Sequence, residues 1–359
     1  MLAKLKSFDW MLVVALGGIV LFGLTALYSI GLGRPDAGYL ERQATALSIG
    51  LVLMVIVSLV NYRTVKNFTI PLYIATVIVL AAVLFFGEKV RGTRGWFFVG
   101  SFGFQPVELA KPVLILALAR YFSVWTRQVG RIRTFLVSAA IIALPVGLIL
   151  LQPDFGSAVI VFAIWFSMVI ARGIPKRLLL SLAVLCAVGM MGAWLFLFQD
   201  YQKERIQSFL FPRSDTSGAG YNVRQALIAI GGGQVLGAGI GAGSGSQLRF
   251  LPEAQTDFIF AVIAEELGFV GVLSLLLLWT LLFYRLVSIL RKTTDDFAAF
   301  IVFGSLIIFF MQFVITVGGN LGLIPITGLV LPFISYGGSA LVASFTLVGL
   351  IQSIRIHSA

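Results

Sequence analysis

The sequence predicts an all-α polytopic membrane protein of about ten transmembrane helices, with a large extracytoplasmic loop between the seventh and the eighth. Two observations on composition and patterning carry that expectation. Of the 359 residues, 59% are apolar and only 11% are charged, against roughly 25% charged in soluble domains. So few charges cannot clothe a core of this size in water, which excludes a soluble globular protein. The chain also divides into ten apolar runs, and a helix of about 20 such residues crosses the hydrocarbon layer.

The first run, Asp9 to Ile30, follows Lys4 and Lys6 as a signal peptide core would, but it is too long for one and reads as a retained anchor. Leu40 to Val60, Thr69 to Gly87, Pro106 to Phe122, Thr134 to Leu151, Phe155 to Ala171 and Leu178 to Phe198 follow. The eighth, Phe258 to Leu290, exceeds one simple span. Its interior Glu265, Glu266 and Gly268 predict a first section buried against protein before the spanning part begins. Phe297 to Val317 and Ser339 to Ile354 complete the set. The whole chain, 1–359, reads as one integral membrane domain, with residues 199–257 as its large loop.

Cations set the orientation. The net charge is +11, which on a soluble chain would suggest nucleic acid; here it reads as the cationic bias of cytoplasmic loops. With the N-terminus inside, Lys4, Lys6, Arg63, Lys66, Arg120, Arg127, Arg131, Arg133, Arg172, Lys176, Arg177, Arg285, Arg291, Lys292 and Arg355 fall on the inner side, only Arg34 and Arg42 flank the short outer loops, and the remaining cations sit in two long segments that the charge rule does not govern. Both termini are then cytoplasmic. Of the acids, Asp9, Asp295 and Asp296 lie inside and the others lie outside or in the outer half of the membrane, so chemistry is expected at the outer face. The single cysteine, Cys186, and single histidine, His357, exclude an internal disulfide, a cysteine-rich metal site and a histidine-based triad.

Several residues could carry chemistry there. Asp257 precedes a very apolar helix, where it serves either as a helix cap or as a general base or cation ligand at the membrane boundary. Glu108 and Lys111, three apart in an apolar run, share a helix face and form either a self-neutralising pair or the wall of a polar cavity that meets an anionic substrate. Asp154 sits in a short turn as a cap or a site residue. Arg94 and Trp96 could hold a phosphate and stack on a sugar, or anchor the loop. Glycines 231–233, 237, 239, 241, 243 and 245 form either an amide cradle for an anion or a re-entrant loop of tight turns. The stretch Leu331-Pro332-Phe333-Ile334-Ser335-Tyr336-Gly337-Gly338-Ser339 breaks any simple helix and reads as a structured outer loop facing protein or water.

Taken together, Phe104-Gln105-Pro106-Val107-Glu108-Leu109-Ala110-Lys111, Leu151 to Gly156, Gly220-Tyr221 to Gly233, Phe250 to Ala261 and Leu331 to Ser339 resemble the SEDS family of shape, elongation, division and sporulation proteins. Departures are small: Val107 and Ala340 stand where the family often has Ser, and Gln255 where it often has His. The short ends favour the elongation branch. The resemblance implies a peptidoglycan glycosyltransferase in the bacterial cytoplasmic membrane that polymerises lipid II at the outer face, with a class B penicillin-binding protein as partner. It implies Asp257 as the essential aspartate, either base or ligand of a divalent cation (Mg or Mn), and Glu108 and Lys111 as cavity residues. Inversion at the sugar carbon calls for one base and no covalent intermediate; the pyrophosphate leaving group calls for cations, with Lys111, Arg94, Arg213 and Arg224 as candidates. Ser335 is added as a substrate-binding candidate. The rival classes are a transporter that flips lipid II and a scaffold that only holds the partner.

Overall fold

A computed structural model describes residues 7–34, 38–90, 92–100, 102–124, 131–173, 218–248 and 250–358, with residues 178, 192, 203 and 209. Apart from Leu178 and Gly192, the expected run Leu178 to Phe198 lies outside the described residues, as do Arg213 and most of residues 199–217. The other nine apolar runs are helices: α1 (Trp10–Leu32), α2 (Tyr39–Leu59), α3 (Tyr62–Phe86), α4 (Pro106–Val124), α5 (Arg131–Leu151), α6 (Phe155–Ala171), α9 (Ile259–Lys292), α10 (Asp296–Asn320) and α11 (Gly338–His357). Among the described residues, α1, α2, α3, α5, α9, α10 and α11 each contain a stretch long and apolar enough to cross a membrane. The protein is a multi-pass membrane protein.

Local chemistry explains the boundaries. Asp9 caps α1 by accepting the Leu12 amide at 3.0 Å. The third helix begins two turns before the expected Thr69, because Asn61 caps it through the Arg63 amide at 2.9 Å. An apolarity criterion discounts Arg63 and Lys66, yet polar residues at a helix end remain in the interface. Helix α4 is central, with α3, α5, α6, α10 and α11 around it, which is why it can carry Glu108 and Lys111 without presenting them to lipid.

Two features were not expected. Residues 88–104 form a three-stranded antiparallel sheet, β1 (Glu88–Val90), β2 (Thr93–Val99) and β3 (Phe102–Phe104), in the order β1-β2-β3. Its strands touch α3, α4 and α11. The described part of the expected 199–257 loop contains α7 (Ala219–Gly232) and the single turn α8 (Ser244–Gln247). Both arise where turn residues and short apolar stretches alternate too quickly for a membrane-scale reading.

Side-chain ties gather the two ends of the bundle. At one end Gln43 donates to the Ser335 carbonyl at 3.0 Å, the Gln105 amide donates to the Ser339 hydroxyl at 3.0 Å, and Asn320 reaches the chain before α9. At the other end Asp9 is gripped by Arg285, Gln352 donates to the Asp9 carbonyl at 3.2 Å, and Arg120 donates to the Lys66 carbonyl at 2.6 Å.

Candidate functional site

Asp257 lies one residue before the cap position of α9, which is Phe258. The helix is capped from elsewhere in the fold. Asn320, the last residue of α10, accepts the Ala261 amide at 3.1 Å and donates to the carbonyls of Asp257 and Thr316 at 2.7 and 2.8 Å. Capping, one of the two roles open to Asp257 in the sequence, is thereby taken over by another residue. Asp257 itself is half-buried.

The backbone around it is over-determined. Glu253 adopts φ 55°, and its carbonyl accepts the amides of Thr256 and Asp257, both at 3.1 Å, and of Phe258 at 3.4 Å. From the facing loop, Ser335 donates its hydroxyl to the Thr256 carbonyl at 2.7 Å and accepts the Leu331 amide at 3.0 Å, while the Tyr336 amide donates to the Gln255 carbonyl at 2.8 Å. In that loop Phe333 holds φ 65°, sealed between the rings of Phe309 and Phe345. Two non-glycine residues in the left-handed region, one on each side of Asp257, mark strain that the surrounding contacts hold in place. Ser335 is thus placed against backbone, as a positioning group for Thr256 and Asp257.

The eighth run divides as its acids and glycine predict. Helix α9 breaks at Gly268, with φ 63° and ψ −164°, and residues Ile259 to Glu266 before the break are all buried. The break frees backbone groups, and the glycine-rich segment takes them up: Ala238 and Gly239 amides donate to the Glu265 and Glu266 carbonyls at 2.9 and 3.0 Å, and Phe269 and Val270 amides donate to Gln234 and Val235 at 2.9 and 3.1 Å. A side chain at Gly268 would strike the Gly237 backbone. Irregular backbone at this depth survives because protein surrounds it.

The same segment does cradle an anion, and the anion is the protein's own. Gly245 and Ser244 donate to Glu265 at 3.0 and 3.1 Å; Ser29 of α1 donates to Glu266 and accepts the Gly241 amide at 3.1 Å. The Gly245 amide is thus spent on a carboxyl group, the Gly241 amide on the Ser29 hydroxyl and the Gly239 amide on the Glu266 carbonyl, as the re-entrant-loop alternative expects.

The remaining candidates fall as follows. Lys111 is fully enclosed and donates to Glu108 at 2.6 Å. Asp154 caps α6 through the Ser157 amide at 3.0 Å and is also reached by Gln105 at 3.4 Å. Arg94 donates to the carbonyls of Gly87 and Phe85 at 3.1 and 3.2 Å, closing the end of α3, where a cation complements the helix dipole. Trp96 stacks on Phe98 with centroids 6.3 Å apart. Arg224 is half-buried on α7. The structure brings Asp257 and Ser335 together, keeps Glu108 with Lys111, and sets Arg94 and Trp96 on the sheet. Sequence reasoning missed Asn320, Glu253 and Gln43; Asn320 lies just past the expected run Phe297 to Val317, and nothing local announces its long-range use as a cap.

With this geometry in place, comparison with known proteins is informative. The FtsW/RodA/SpoVE profile, described as cell cycle protein, matches residues 3–359. The chain is 37% identical over 324 residues to the peptidoglycan glycosyltransferase MrdB of Escherichia coli K12, covering 90% of this chain and 87% of that protein. It is 34% identical to a probable peptidoglycan glycosyltransferase FtsW of Thiomicrospira cyclica, covering 98% and 92%. Among solved structures, it matches a chain from a peptidoglycan synthase complex that coordinates polymerization and crosslinking, at 35% identity and TM-score 0.81 over 97% of both chains. It also matches the rod shape determining protein RodA of Thermus thermophilus, at 32% identity and TM-score 0.73 over 98% of this chain and 97% of that one. The match along almost the full length of both partners, in sequence and in fold, places this chain in the FtsW/RodA/SpoVE family, the SEDS proteins.

Proposed function

We propose that this protein is a peptidoglycan glycosyltransferase of cell elongation, which polymerises lipid II at the outer face of the bacterial cytoplasmic membrane beside a class B penicillin-binding protein. The observation that carries the reading is the placement of Asp257: its backbone is fixed by Glu253, Asn320 and Ser335, just ahead of a helix whose Ala261 amide is capped by Asn320. Relatives that share the fold carry the names of glycan polymerases.

In this reading Asp257 takes the proton of the acceptor 4-hydroxyl as that oxygen attacks the donor sugar carbon. The new glycosidic bond forms as the carbon–oxygen bond to pyrophosphate breaks, with inversion in a single displacement. Undecaprenyl pyrophosphate leaves with the bonding electrons, so no protein acid is required. The developing charge needs cations. Of the candidates Lys111, Arg94, Arg213 and Arg224, Lys111 is held by Glu108 and Arg94 by the end of α3. Among those residues no three Asp, Glu, His or Cys side chains gather into a metal cage. A divalent cation held by Asp257 would complete its shell with substrate phosphates, as Mg commonly does, and would supply charge neutralisation there.

The test is incubation of the purified protein in liposomes with labelled lipid II, with and without its penicillin-binding partner. Glycan polymer supports the proposal. Translocation of lipid II without polymer would make the protein a flippase, and neither outcome with either preparation would leave it a scaffold.

A further inference from the structure

At the end of α9 remote from Asp257, α9 and α11 border a small open cleft of about 40 Å³, lined by Arg285, Lys292 and Arg355, by Ser288, Thr293 and Ser358, and by Ile289 and Ile354. Its charges are unequal in their commitments. Arg285 is already neutralised: its Nε and Nη2 donate to the Asp9 carboxylate at 3.1 and 2.5 Å. Lys292 and Arg355, from different helices, form no ion pair among the described residues. Nearby acids are turned elsewhere or lie off the lining. Asp295 acts on Arg63, Asp296 begins α10, and the His357 ring faces the Ser353 carbonyl.

Two unneutralised cations facing one cleft repel each other unless an anion sits between them. The helix C-termini that meet here add partial negative charge, which stabilises the cations but does not separate them. The chemistry on offer, two cationic side chains with three hydroxyl-bearing residues and two isoleucines, fits a phosphate whose attached groups are hydrocarbon. Basic pockets between transmembrane helices recognise acidic lipid headgroups in this way.

We propose that this cleft binds the phosphate of an acidic phospholipid, with Lys292 and Arg355 as its principal ligands and the glycerol backbone over Ile289 and Ile354. The site stands apart from the polymerase reading. A lipid there bridges the C-terminal ends of α9 and α11, and so braces the helix whose other end follows Asp257.

The full-length protein in neutral phosphatidylcholine nanodiscs is titrated with phosphatidylglycerol of matched acyl chains, and bound lipid is counted by native mass spectrometry; phosphatidylcholine and inorganic phosphate serve as the other arms. The wild type should retain phosphatidylglycerol over phosphatidylcholine, and Lys292→Ala/Arg355→Ala should lose about 30-fold in that preference, as expected for two cations near a lipid surface. Lys292→Arg/Arg355→Lys should keep it, which separates charge from folding. Three results would overturn the proposal: equal retention of both lipids, an unchanged preference in the double alanine variant, or occupancy by inorganic phosphate that phosphatidylglycerol does not displace.

Discussion

Asn320 donates its amide to the carbonyl of Asp257 at 2.7 Å, across 63 residues of chain. The same side chain caps α9 at Ala261, so the end of α10 fixes both the start of α9 and the residue that precedes it.

Replacing Asn320 by Ala removes both functions. Loss of the cap should cost about 1 kcal/mol of stability, seen as a small fall in the thermal midpoint in detergent. Polymerisation should fall by far more, about 100-fold, since displacement of a reacting group by 1 Å costs on that order. Rates of glycan synthesis from lipid II, compared with the melting curves, check the disproportion.

The Glu108–Lys111 pair is closed to solvent on the Lys111 side, so half of it cannot be removed cheaply. Lys111→Met leaves a buried carboxylate without its cation and should cost about 3–5 kcal/mol. Adding Glu108→Gln should recover most of that loss. Unfolding of the two single variants and the double variant completes the cycle and yields the coupling between the residues.

At Gly268 a methyl group meets the Gly237 backbone, and the backbone there has φ 63°. Gly268→Ala should therefore lose more than the roughly 1 kcal/mol of a positive-φ penalty, with faster hydrogen exchange at Ala238, Gly239, Phe269 and Val270. A neighbouring control, Gly231→Ala, meets nothing within 4 Å and should leave exchange unchanged.

If Arg224 meets the departing pyrophosphate, Arg224→Ala should slow polymerisation about 100-fold with little change in melting temperature, the size expected for a lost charge-stabilising donor. Arg224→Lys should restore part of the rate. A uniform loss of stability in both variants would assign the arginine to packing instead.

How far the sequence could be read depended on the range of the interaction. Helices such as α6, expected and found at Phe155–Ala171, follow from runs of adjacent residues. The break in α9 was also legible, because Glu265, Glu266 and Gly268 have no place on a lipid-facing helix. What closes the break was not: the amides of Ala238 and Gly239 lie about 30 positions upstream and are matched to it only in the fold. Asp257 was legible as a boundary carboxylate, but Asn320 and Glu253, which hold its backbone, act through carbonyl contacts that no local pattern encodes. The sheet over residues 88–104 escaped for the opposite reason, its strands being only three to seven residues long.

The most direct measurement is glycan synthesis by Asp257→Asn in liposomes with its penicillin-binding partner and labelled lipid II. Asn preserves the shape and the backbone ties but cannot accept a proton from a sugar hydroxyl. The account expects no detectable polymer, with wild-type melting and partner binding; polymer at near wild-type rate would contradict it.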